Sequence, residues 1–190
     1  MADDSILLDS LVRRMRAMHS LWEQAVATMG SAEVNYVERE PVLPIAFSLF
    51  HFANIEDSSA SGLGAGPVIF DDTWAARIGL GVADHGKERT VSEMIAQRIG
   101  GYEAFVEYMT AVFAKTERWL AGLDPARLSD LVVRRPFQPG IASTYSARVA
   151  GSEGITRLDA IECWIYQHGL RHMGEVEHAR SLVGLGGMTS

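Results

Sequence analysis

The chain has 190 residues and carries 24 acidic against 17 basic side chains, a formal net charge of -7. That balance argues against nucleic acid or an anionic membrane as partner, because affinity for phosphates needs a basic surface. The single cysteine, Cys163, excludes an intrachain disulfide and fits the reducing cytoplasm, and the length suits one domain with a substantial core over residues 1–190.

From Ser5 to about Met29, the residues Leu7, Leu11, Met15, Met18, Trp22, Ala25 and Met29 recur at intervals of three and four, the period of an amphipathic helix that Gly30 should end. Arg13, Arg14 and Arg16 read as its solvated face. The opening MADDSILLDS has no basic region before an apolar run, unlike a secretory signal. After a polar connection, Pro41 and Pro44 mark a second helix start, since proline is tolerated in a first turn. The run IAFSLFHFANI after Pro44 is apolar almost all round and must be buried on most sides. The window VLPIAFSLFHFANI is nevertheless too short to span a bilayer.

Between Ser58 and Gly81, five glycines and a proline argue against a long regular element, and Phe70 and Trp74 favour a packed loop covering one end of the core. Thr90 and Glu93 have the spacing of a capping box, and Gly100-Gly101 breaks or bends the helical pattern that starts there. Tyr102 to Leu120 predicts a third long helix with Phe105, Met109, Val112, Phe113 and Leu120 inward. A second irregular stretch then carries three prolines and a short extended piece at LVVRR. The fourth helix opens at Thr156, paired with Asp159, and runs to about Val183 with Gly184 as its stop. Four long helices without a strand set predict an all-α fold, a four-helix bundle with long connections.

The chemistry lies on the second and fourth helices. His168 and His172 are four residues apart and so share a helix face. Ile161, Trp164, Ile165, Glu175, Ala179 and Leu182 fall on the same stripe, which points both imidazoles at the core. Burying unpaired imidazoles costs a few kcal/mol, and a cation would satisfy them. His51, in the middle of the apolar second helix, supplies a third candidate ligand, and three protein ligands leave a position open for water. Glu175 is placed to accept an N–H from a ligand imidazole, with an ion pair to Arg171 or Arg180 as the alternative. Asp71 and Asp72, on the covering loop, are weaker candidates for a general base beside the metal. His19, His85 and His178 read as surface residues, and Cys163 as a buried, inert thiol.

LFHF on the second helix together with HGLRHMGEVEHARSLVGLGG on the fourth resembles the DinB-like superfamily of four-helix-bundle metalloproteins. That family takes one histidine from its second helix and an H-x-x-x-H pair from its fourth. The resemblance therefore implies ligand roles for His51, His168 and His172, a divalent metal (zinc, nickel or iron), and a possible homodimer. It also implies small-molecule chemistry, since some relatives are transferases or isomerases that use low-molecular-weight thiols such as mycothiol or bacillithiol. The expectation is a metal-dependent enzyme that activates a bound water or thiol, of the thiol S-transferase or hydrolase type. A non-catalytic metal-binding or stress-response protein is the alternative.

Overall fold

The computed structural model describes residues 2–86 and 88–188. Among the described residues helices carry most of the chain and only two short strands pair, so the fold class is all-α. The first helix, α1 (Ala2–Ala27), buries Leu8, Leu11, Met15, Met18, Trp22 and Ala25. Leu7, expected inward, is 44% exposed, and Leu8 takes its place in the stripe, three residues ahead of Leu11. The helix ends before Gly30, which instead precedes the single turn α2 (Ser31–Val34) and donates its N–H to the Glu33 carboxylate at 2.8 Å. The basic cluster is only partly solvated. Arg14 reaches Glu162 at 2.8 Å, tying α1 to the C-terminal helical run.

Pro44 immediately precedes α3 (Ile45–Gly62), whose residues Ile45 to Phe50 are buried without a break. The stretch from Ser58 is more regular than its glycines suggest. Helix α3 continues through Gly62, because Ser59 and Ala60 still serve the helix before the first left-handed glycine, Gly64 at φ +103°. Further on, α4 (Asp72–Ile78) is capped by the Asp71 carboxylate, which accepts the Trp74 N–H at 2.9 Å. The Thr90–Glu93 capping box exists but opens a single turn, α5 (Val91–Met94).

Helix α6 (Tyr102–Ala121) buries Phe105, Met109, Val112, Phe113 and Leu120, as its periodicity requires. A 3-10 turn (Pro125–Ser129) then leads into β1 (Leu131–Arg134), which pairs antiparallel with β2 (Gly154–Thr156). Gly154 has φ +151°, and a Cβ there would lie 2.0 Å from the Val133 carbonyl oxygen, so the pairing admits only glycine. Between the strands lie two short helices, α7 (Pro139–Ala142) and α8 (Tyr145–Val149).

The last helical run begins with a Thr156–Asp159 capping box at α9 (Arg157–Ala160), passes through a π-helical segment (Ile161–Tyr166), and continues as α10 (Gln167–Leu182). Gly184, at φ +79°, lies just past its end. Helix α3 packs against both α10 and α6, and α1 packs against the same two helices. The core lies between these four, and His51 and His168 face one another across the contact of α3 with α10. No helix among the described residues is long and apolar enough to cross a membrane.

Candidate metal centre

Three histidines from two helices converge through their Nε2 atoms. His168 Nε2 lies 3.2 Å from His51 Nε2 and 3.1 Å from His172 Nε2. The outer nitrogens of two of these rings are held. His51 Nδ1 donates to the carbonyl oxygen of His85, and His172 Nδ1 donates to the Glu175 carboxylate at 2.6 Å. Carbonyl and ionised carboxylate oxygens only accept, so the neutral form of either ring carries its proton on Nδ1 and presents the Nε2 lone pair. His168 has one Nε2 position to answer two lone pairs, and its buried Nδ1 has no partner among the described residues.

Electrostatics keep the His51 and His168 rings neutral. Burial, reinforced by the neighbouring His172, lowers the pKa of His51 to about 4, against the hydrogen bond to the His85 carbonyl that raises it. Burial, then His172 and His51, lowers that of His168 to about 2. The Glu175 carboxyl is held below its usual range, chiefly by its hydrogen bond with His172, and Ser48 Oγ donates to it at 3.0 Å. Glu175 thus orients the His172 imidazole and pairs with neither Arg171 nor Arg180. Three imidazole nitrogens that meet at one point, with a single His168 Nε2 position between two lone pairs, form a donor set that could hold a metal ion. His51, His168 and His172 are the group of side chains among the described residues whose ligand atoms are close enough together to hold an ion, all within 4.8 Å.

Two glycines make this convergence sterically possible. A Cβ on Gly169 would come within 2.3 Å of Met18 Sδ and 2.7 Å of the Phe52 ring, so the absence of a side chain beside His168 lets α10 lie against α1 and α3. Gly86, at φ +77°, faces the Phe47 ring at 2.6 Å from its would-be Cβ and brings the His85 carbonyl over His51. Sequence reasoning missed both. Gly169 carried a signal, since a glycine inside a helix costs about 1 kcal/mol relative to alanine and demands a packing reason. The role of His85 left none, because it acts through its backbone.

The histidines open onto a cavity of about 680 Å³. Its cover is the second irregular stretch, with Ile141, Ser143, Thr144 and Tyr145 in its wall. The first stretch covers a different part of the core: Trp74 packs against Tyr108 and under Arg77. Asp71 and Asp72 are exposed, Asp71 is spent on capping α4, and neither lines the cavity. Cys163 does line it. A π turn inserts an extra residue into the helical register, and here Cys163 and Trp164 both reach the cavity, Trp164 Nε1 donating to Ser146 Oγ at 3.0 Å. Burial, with the carboxylates of Asp159 and Glu162, pushes the Cys163 thiol up to about 11, which agrees with an inert group.

Two further histidines correct the surface assignment. His85 is half-buried and packs edge-on to His51. His19 is 1% exposed and sits between two carboxylates, Nδ1 at 2.8 Å from Glu117 and Nε2 at 3.3 Å from Glu56. Its burial escapes the periodicity because it falls one position past the apolar stripe at Met18, where α6 and α3 supply acids from far along the chain. His178 is exposed as expected.

No protein-family model matches the chain, and no curated protein matches it. A crystal structure described as that of the conserved protein of a locus from Enterococcus faecalis is similar, with a TM-score of 0.72 over 93% of this chain and 96% of that one, at 18% identity. Likeness at that identity shows the fold alone. Fold and site together define an all-α protein with a three-histidine cluster at the floor of a cavity.

Proposed function

We propose that the protein is a metal-dependent enzyme built on a DinB-like four-helix bundle. In this reading His51, His168 and His172 hold a divalent cation with at least one position open to a small molecule. The observation that carries it is the meeting of three Nε2 atoms whose lone pairs no available proton arrangement satisfies, above a cavity large enough for a substrate. When bound, such a cation lowers the pKa of a water or thiol ligand enough to make it a nucleophile near neutral pH. The chain's own groups prepare the site. The His85 carbonyl and the Glu175 carboxylate fix two imidazoles in the tautomer that offers Nε2. Apolar walls from Ile55, Ile141 and Trp164 limit the water in the cavity. Among the described residues no carboxylate or cysteine joins the three nitrogens, and three protein ligands are the number that catalytic sites use.

Cobalt substitution tests the reading, because the visible spectrum of cobalt(II) reports its ligand set. One equivalent should bind, and a low-molecular-weight thiol should change the spectrum. Failure to take up cobalt would overturn the metal assignment. Uptake with a spectrum indifferent to every thiol and to small anions would leave a closed site and favour the non-catalytic metal-binding alternative.

A further inference from the structure

Two formal charges line the cavity, Arg171 and Glu175. Glu175 is engaged by His172 and Ser48. Arg171 is exposed on α10 and makes no hydrogen bond or ion pair with any described residue. Other arginines facing this helical run are committed: Arg14 to Glu162, Arg157 to the Leu63 carbonyl, and Arg180 to the Ala25 carbonyl. The hydroxyls of Ser143 and Tyr145, in the opposite wall, are also without partners among the described residues. In a chain of net charge -7, the cavity therefore holds an uncommitted guanidinium beside apolar surface. With a divalent cation at the histidines, its balance becomes strongly positive.

We propose that the cavity receives a small organic carboxylate with an apolar body, its carboxylate gripped by the Arg171 fork and its body against Ile55, Ile141 and Trp164. A guanidinium presents donors in a planar fork that matches a carboxylate, and an apolar-lined site concentrates the discrimination on such a group. The proposal rests on reading the cavity as a substrate site. It deepens that reading by naming the substrate class, without depending on which nucleophile reacts.

The test compares 3-phenylpropionate with the neutral 3-phenylpropionamide by calorimetric titration at low salt. Each is titrated against metal-loaded and metal-free protein, with metal content measured in the same samples. The carboxylate should bind on the order of tenfold more tightly than the amide, the scale of one charge-assisted contact in a partly open site. Arg171→Gln should bring the ratio close to one and leave the amide's affinity unchanged. Arg118→Gln, an exposed and unpaired position outside the cavity, should keep the preference. Equal binding of both compounds by the unaltered protein overturns the proposal, as does a preference that survives Arg171→Gln or binding of neither compound. If protein offered metal takes up none yet keeps an Arg171-dependent preference, the proposal stands while the metal reading falls, so the two can fail separately.

Discussion

Buried histidines serve opposite ends in two regions of the core. At the α3–α10 contact, His51 and His168 are surrounded by other imidazoles and apolar rings, and burial drives their pKa values down to about 4 and about 2. On the other side of α3, burial also works against charging His19, but the carboxylates of Glu56 and Glu117 outweigh it and its pKa is raised. The first region holds neutral rings with unanswered lone pairs, which could hold a cation from outside. The second holds a ring whose charged form its carboxylate neighbours favour, stacked on Phe113 at 4.0 Å between ring centroids. Burial alone thus decides neither the charge nor the role of a histidine. The neighbours supplied by other helices do.

The largest effects should come from deleting one ring in each region. His19→Ala leaves the fully buried Glu56 carboxylate without its counter-charge, and breaking a buried pair in this way costs about 3–5 kcal/mol. His168→Ala should instead abolish stoichiometric metal uptake while the helical signal and the cooperative melt persist, because the apolar contacts of four long helices carry the fold. Denaturant melts and elemental analysis read the two outcomes. A His168→Ala protein with full metal content, or one as unstable as His19→Ala, would erase the distinction between the regions.

A smaller contrast lies in the carboxylates beside each ring. Glu175→Gln keeps an acceptor for His172 Nδ1 but removes its charge, and changes at such orienting groups lower metal affinity about 10–100-fold. Glu175 is exposed, so stability should scarcely move. Glu117→Gln, beside His19, should do the reverse: a loss of about 1 kcal/mol in stability with metal affinity unchanged. Competition against a chromophoric chelator, run with melts on both variants, checks the pair.

How much of this is legible in the sequence depends on the range of the interactions involved. The helices at Tyr102–Ala121 and from Thr156 onward are readable because periodicity and caps are local signals. The convergence of the three histidines is readable for a related reason: His168 and His172 share a face by spacing, and His51 interrupts an apolar run. His19 reads wrongly because Glu56 and Glu117 are 37 and 98 residues away. The cavity's cover falls to the wrong stretch because both irregular segments have loop composition, and long-range contacts, the pairing of β1 with β2 and the Trp164–Ser146 hydrogen bond among them, draw residues 140–146 to the mouth of the site. Asp71 looks catalytic for the reason that it caps a helix: a short acid ahead of a turn serves either purpose in a sequence.

The finest prediction sets the two regions against each other in the pH dependence of stability, measured on chelator-treated protein. An unperturbed imidazole has a pKa near 6.5. His51 and His168 lie below that value when folded, so between their folded values and about 6.5 the unfolded chain binds more protons, and stability should rise with pH. His19 lies above it when folded, so its contribution is complete below about 6.5 and is lost as pH rises through its raised value. Glu56 and Glu117 face His19 directly, and Arg16 pairs with Glu117 at 3.5 Å, drawing some of that carboxylate's charge away. The denaturation midpoint should therefore pass through a maximum near pH 6.5. His51→Gln should flatten the acid side of that maximum, and Glu117→Gln should shrink the fall on its alkaline side. A midpoint that keeps climbing above about pH 6.5, the ordinary imidazole value, would show that His19 folds as a neutral ring and that the two regions do not differ in charge.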